Sequence, residues 1–309
     1  MINKHKITSW IKVMRLEFYS MPFVVYSLGA LISYKFNDFF FLKNYLVGYF
    51  IIFLIELATV LTNEYYDFEA DKLNKNVGRF TGGSRMLVEN KISLRETKIS
   101  FIFVVMLFLV LSLYLFKITF YSNQVILLLG IGLIFGISYT APPLKFSYRG
   151  LGEIDVAIIH GFYVIICGYV FQKAILDNNV LWVIAIPIFF SSLVGVSLAG
   201  IPDIYSDRLV SKKTIALIIG PKNTLIFSAI CSLITGTFGI FLFYVFFSWQ
   251  LDYLYLLLPL YSIYMSYIFL AKLRLKNYEL GISRMIFSSM ILIALSSFIP
   301  LIIQMVSLF

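Results

Sequence analysis

The sequence predicts an all-α membrane protein: a polytopic bundle of about nine transmembrane helices in one domain over residues 1–309, with a central cavity open to the cytoplasmic face. Three observations carry this. Hydrophobic residues make up 60% of the chain and charged residues only 13%, an apolar share above that of ordinary soluble domains. Apolar runs of about 20 residues, each long enough to cross a bilayer, recur along the whole chain. The connections between them alternate between basic and charge-poor, as positive-inside orientation demands.

The apolar runs lie at roughly 10–34, 44–67, 98–117, 122–140, 153–174, 179–202, 222–248, 252–271 and 285–308. Arg15 and Glu17 open the first, and no charged–apolar–small cleavage pattern precedes it, so it is read as a retained helix and not a signal peptide. The second ends in spaced polar residues, Asn63, Asp67 and Asp71. The fourth is stopped by Pro142 and Pro143. The fifth carries Asp155 and His160, and the sixth ends at Pro202, which loosens the helix just before Asp203. The polar loops after the second and sixth runs stand about 140 residues apart, each behind an apolar helix ending in carboxylates, which hints at a repeated helical unit.

With the N-terminus in the cytoplasm, all of the 25 Lys and Arg except Lys35, Lys43, Lys117 and Lys173 fall on the inner side. This places the N-terminus and the polar loops on the cytoplasmic side of the cell membrane. A net charge of +9 in so apolar a chain points to membrane orientation and an anionic substrate, not to nucleic acid. Cys167 and Cys231 lie in apolar runs and read as small core residues. Two cysteines and two histidines so scattered build no zinc site.

The chemistry lies in the inner loops. Asn63, Asp67 and Asp71 fall at i, i+4 and i+8, one stripe of a helix with a step of about 6 Å. Such a stripe repels itself unless a cation joins it, and a hard divalent ion with oxygen ligands fits. Asp203 and Asp207 form a second i, i+4 pair at the same membrane face. Facing each other, the two clusters would hold Mg²⁺ ions, and the ions a diphosphate. Basic residues flank both clusters. Arg79, a Thr81-Gly82-Gly83-Ser84 loop and Arg85 follow the first; Lys212, Lys213 and Thr214 follow the second. They suit a departing diphosphate, although each one alone serves topology equally well. A third segment, from Tyr139 through Lys145 and Arg149 to Glu153, reaches the same face and places the Tyr139 hydroxyl near the site.

Together these segments resemble the UbiA superfamily of intramembrane prenyltransferases over nearly the whole chain. Its first motif, Asn-x-x-x-Asp-x-x-x-Asp, is met by Asn63, Asp67 and Asp71. Its second, Asp-x-x-x-Asp, is met by Asp203 and Asp207 with Lys212, Lys213 and Thr214 behind, and its Tyr–Pro–Lys loop by Tyr139 and Lys145. The stretch from Tyr139 to Glu153 is most similar to the dihydroxynaphthoate polyprenyltransferases of menaquinone synthesis. The resemblance implies Mg²⁺, a polyprenyl diphosphate, a small aromatic acceptor and membrane lipid as cofactor and partners. Tyr205 stands where many relatives have a third acid in the second motif, which leaves the number of metals open. It also implies a sequence of steps: diphosphate ionisation at Asp67, Asp71, Asp203 and Asp207, then attack by an electron-rich ring that loses a proton or carbon dioxide.

Glu56, seven residues before Asn63, shares its helix face. Glu56, Asp155 and His160 either line the acceptor pocket, with Glu56 or His160 helping to remove a proton, or form interhelical hydrogen bonds. The structural role is the plainer one for His160. Arg15 meets the acceptor's carboxylate or the diphosphate, or anchors the helix at the interface. Two other acceptors keep the same site, 4-hydroxybenzoate and geranylgeranylglyceryl phosphate. A cation-coupled transporter would instead place its carboxylates at the midplane, whereas these cluster at span ends. Periodicity sets neither prenyl chain length nor oligomeric state.

Overall fold

A computed structural model describes residues 4–74, 78, 82–246, 251–274 and 281–307, and every regular element among them is helical. Among these described residues, seven helical segments are long and apolar enough to span a bilayer. They are α3 (Leu42–Tyr66), α5 (Leu94–Ile118), the continuous Gly152–Lys173 segment, α9 (Val180–Ala199), α12 (Pro221–Val245), the Asp252–Lys272 segment and α14 (Ile282–Val306). Gly152–Lys173 comprises α7 (Gly152–Ile158), a π-helical turn over Ile159–Tyr163 and α8 (Val164–Lys173); Asp252–Lys272 ends in α13 (Leu257–Lys272).

The expected first span is not one straight helix. α1 (Lys4–Met14) and α2 (Ser20–Asn37) meet at a bend of 48°, and they supply an eighth span only if the bent pair counts as one. Arg15 turns left-handed (φ 50°) and Leu16–Phe18 tighten into a 3₁₀ turn. Pro22 explains the break. In a continuous helix its ring would clash with the Phe18 carbonyl, whereas in the first turn of α2 its missing N–H costs nothing. The expected fourth span becomes α6 (Asn123–Ser138), whose 16 residues reach about 24 Å against a hydrocarbon core of about 30 Å. The nine-span count is therefore met only in part.

The outer surface is apolar. On α5, Ile102, Phe103, Met106, Val110 and Leu113 are all exposed and recur at helical spacing, a stripe that water would not tolerate and lipid tails accept. Inside, backbones approach closely: a Cβ at Gly29 of α2 would collide with the Ile165 carbonyl, and one at Gly168 of α8 with that of Tyr26. Cys167 and Cys231 are free and buried, as expected. One apolar core is built mainly on α2, α3, α8 and the start of α9; a second joins the rest of α9 to α12, α13 and α14. The protein is an integral membrane helix bundle.

Candidate active site

Both acidic clusters are made the same way, by a long apolar helix that breaks and restarts as a six-residue helix. α3 ends at Tyr66, Asp67 leaves helical geometry (φ −90°, ψ 5°), and α4 (Phe68–Leu73) carries Asp71. The i, i+4 stripe survives the break, because Asp67 N–H donates to the Asn63 carbonyl (2.9 Å) and Asp71 N–H to that of Asp67 (2.8 Å). α9 ends at Ala199, the chain passes Pro202, and Asp203 caps α10 (Ile204–Leu209), whose Asp207 N–H donates to the Asp203 carbonyl at 2.9 Å.

Two contacts lock the clusters face to face. Lys212 Nζ pairs with Asp67 Oδ2 at 2.7 Å, the side chains being 13% and 5% exposed. Asn74 Nδ2 donates to Asp203 Oδ1 at 2.7 Å. Tyr148 hydroxyl donates to the other Asp67 oxygen (2.9 Å), and Thr214 hydroxyl to Asp207 Oδ2 (3.3 Å). The glycine loop is tied down by Glu64, which accepts from Ser84 N–H (2.7 Å) and hydroxyl (2.6 Å). Gly83 must be glycine twice over: its φ is +67°, and a Cβ there would run into the Asp71 carboxylate. Arg85 Nη1 donates to the Asp71 carbonyl.

Burial pushes the Asp71 carboxyl up to about 7, helped by the neighbouring Asp67 and Glu64 charges. It pushes Asp203 up to about 6 against the Asn74 hydrogen bond, and raises Asp207. Burial works against the charge of Lys212, but Asp67, Tyr139 and Asp207 outweigh it and hold the ammonium well above its ordinary range.

A cavity of about 440 Å³ opens beneath the clusters. Of the residues expected at the site, Arg15, Glu56, Asn63, Asp67, Asp71, Tyr139, Asp203, Asp207 and Lys212 line it, and Asp155 and His160 do so deeper in the bundle. Four expected cations do not line it. Lys145 lies over the Tyr148 ring (5.0 Å), Arg149 Nη2 donates to the Pro143 carbonyl (2.9 Å), Lys213 is exposed, and Arg85 donates to the Asp71 backbone. Arg79 and Thr81 lie outside the described residues. Sequence reasoning missed Tyr148, Asn74 and the Glu64–Ser84 clasp. Only Asn74 left a signal, falling seven residues, or two helical turns, after Asp67.

The donor set fits a hard cation. Asn63 Oδ1 is buried at the cavity wall without a hydrogen-bond partner among the described residues, an acceptor suited to a positive group. Among the described residues no three His, Cys, Asp or Glu side chains converge into a closed metal cage. An ion taking few protein ligands and completing its shell with water and phosphate oxygens suits such a site.

The UbiA prenyltransferase family is matched over residues 21–291. The digeranylgeranylglyceryl phosphate synthase of Methanosphaera stadtmanae is 23% identical over 235 residues, 76% of this chain and 78% of that protein. A UbiA homolog from Aeropyrum pernix K1 has the same fold with a TM-score of 0.68 at 16% identity, covering 94% of this chain and 98% of that one. A UbiA homolog from Archaeoglobus fulgidus, solved with DMAPP and Mg²⁺, gives 0.62 at 18% identity over 94% and 99%. The matched stretch contains both acidic clusters, the loop between them and most of the spans, and this chain belongs to the UbiA prenyltransferase family.

Proposed function

We propose that this prenyltransferase moves a polyprenyl group from its diphosphate to a hydroxylated aromatic acid, 1,4-dihydroxy-2-naphthoate, in menaquinone synthesis. The observation that carries the acceptor is the cavity's charge. Arg15 and Lys212 are the only Lys or Arg among the described residues that line it, and Lys212 is held at the acidic clusters by Asp67. Arg15, whose charge acts on Glu56 and also on Asp71 and Asp203, is the second of these cations, and a single guanidinium suits one acceptor carboxylate better than a lipid phosphate.

The diphosphate rests at the mouth, where Asn63, Asp67, Asp71, Asp203 and Asp207 would hold Mg²⁺. Bound there, Mg²⁺ neutralises charge on the departing diphosphate. Lys212 adds a fixed positive charge aimed at the same place. Tyr148 and Asn74 orient Asp67 and Asp203, and Tyr139 walls the cavity beside Lys212. The prenyl tail runs along Met290 and Ile293 and leaves past Phe298, which lines the cavity and is 45% exposed on the lipid side. The basic loops beside this mouth support a cytoplasmic side for it.

Geranylgeranylglyceryl phosphate is the second reading, favoured by the relative from Methanosphaera stadtmanae. Purified enzyme with Mg²⁺, labelled polyprenyl diphosphate and each acceptor separately decides between them. Product with dihydroxynaphthoate alone, lost with EDTA, supports the first reading. Product with the glycerol phosphate lipid alone replaces it with the second, and no product with any acceptor from folded protein sinks both.

A further inference from the structure

The Gly152–Lys173 span departs from α-helical geometry only over Ile159–Tyr163, where it widens to a π turn containing His160. Such turns recur where a helix must present a side chain that regular spacing would place elsewhere. Here packing shows the cause. A Cβ on Gly161 would stand 2.7 Å from the Phe189 Cα, so α9 crosses with no room for a side chain, while His160 next to it is turned into the cavity. The interhelical hydrogen bond expected of His160 is absent among the described residues. Its one hydrogen bond there runs within its own helix, from Nδ1 to the Val156 carbonyl at 2.9 Å. A carbonyl only accepts, so Nδ1 carries a hydrogen and Nε2 is the ring nitrogen left for acid–base exchange.

The surroundings suit proton transfer. Glu56 on α3 is close enough for its charge to interact with His160, and Arg15 acts on the same carboxylate. Glu17 lines the cavity from the bend before α2, and Asp155 from one turn earlier on α7. α9 contributes Ser192, whose hydroxyl, like Asp155 Oδ1, is buried without a partner among the described residues. Glu56 lies seven residues before Asn63, about 10 Å deeper along α3, which is where a ring below the diphosphate would sit.

We infer that His160 is the general base of the reaction, its Nε2 taking the proton from the acceptor's ring hydroxyl. This rests on the aromatic reading above. As the proton moves to Nε2, the ring's electron pair forms the bond to prenyl C1. The C1–O bond breaks, and its pair leaves with the diphosphate. The resulting dienone loses its carboxylate as CO₂, that bonding pair restores the ring, and the oxygen recovers its proton from Nε2.

His160→Asn keeps a donor near the Nδ1 position and deletes the base, and His160→Gln places a non-basic amide near Nε2. With dihydroxynaphthoate, both should lower kcat about 100-fold or more, in the range of general-base contributions. KM for the prenyl diphosphate should stay within about twofold and acceptor-free diphosphate release should be unchanged. The deficit should shrink with a ring-fluorinated acceptor already ionised in solution. Variants that keep kcat near native, or that lose acceptor-free diphosphate release in parallel, overturn the inference. If both variants unfold, the native enzyme decides. Its rate with dihydroxynaphthoate should fall at low pH through one ionisation that the pre-ionised acceptor does not show, and identical profiles overturn the inference. A native enzyme that prenylates no aromatic acceptor overturns the reading beneath it, and is told apart because there the native enzyme itself is inactive.

Discussion

Replacing Lys212 with methionine keeps most of the side chain's bulk and removes its charge. Among the described residues Asp67 then keeps the Tyr148 hydroxyl alone, with Asp207 and Asp71 nearby. The pair it loses is short (2.7 Å) and shielded, at 13% and 5% exposure. Stranding one partner of a buried pair costs about 3–5 kcal/mol; because this one borders a cavity and keeps one hydrogen bond, about 2–3 kcal/mol is expected. The double variant Asp67→Asn/Lys212→Met removes the stranded charge and should recover at least about 1 kcal/mol of that loss. Equilibrium unfolding in detergent, with EDTA and then with Mg²⁺, measures both, and Mg²⁺ should stabilise Lys212→Met more than the native protein because it replaces the missing charge. Diphosphate release should fall about 100-fold or more. If Lys212→Met is as stable as the native protein in EDTA and responds to Mg²⁺ identically, the clusters are not coupled through this residue and the electrostatic account of the site fails.

Asp71→Asn and Asp203→Asn should each lower turnover about 100-fold or more with little loss of metal-free stability, since each removes a charge that burial already disfavours; assays of product and unfolding on the same samples check this. With Asp71 held near 7 and Asp203 near 6, the folded state binds protons more tightly than the unfolded chain. Metal-free stability should therefore fall as pH rises from about 4 to about 7, and Mg²⁺ affinity should rise over the same interval; a flat Mg²⁺ titration across it would contradict these shifts. Gly83→Ala should cost about 1–3 kcal/mol and displace Asp71, seen as a weaker Mg²⁺-induced stabilisation, whereas an alanine tolerated without loss would mean the loop moves freely. Because Cys167 and Cys231 are buried, cysteines introduced at Lys145 and Lys117 report sidedness: an impermeant maleimide on intact cells should label only Lys117→Cys.

The bundle and the acidic stripes were legible because each rests on local spacing. Apolar run length and the i, i+4 interval are properties of one helix, and tertiary packing left them intact even where α3 broke at Asp67. Partners across long separations were not. Tyr148 meets Asp67 over 81 positions and Asn74 meets Asp203 over 129, and no spacing rule links them. The bend before α2 was readable in Pro22 but masked by the apolar residues on either side of it. Lys145, Arg149 and Lys213 show why basic loops mislead. A lysine that orients a membrane protein and one that binds a phosphate look alike in sequence, and only burial separates exposed Lys213 from its neighbour Lys212.

That separation also bears on where such chemistry can be housed. Carboxylates at the bilayer midplane are expensive, yet acids at the very surface would be too well hydrated for Lys212 and a metal to act strongly on a diphosphate. Breaking α3 at Asp67 and α9 after Ala199 puts the acids at the ends of the apolar helices, buried but within reach of the inner loops. The same breaks let the short helices α4 and α10 pack on each other, which closes the mouth without a separate domain. Below it one wall keeps Glu56, Asp155 and His160 while the other turns apolar through Met290 and Ile293 toward Phe298, so the apolar path out of the cavity leads toward the lipid. On the proposed reading, a substrate with a charged head and an apolar tail then needs no reorientation to bind: the gradient that keeps it in the membrane also aligns it with the site.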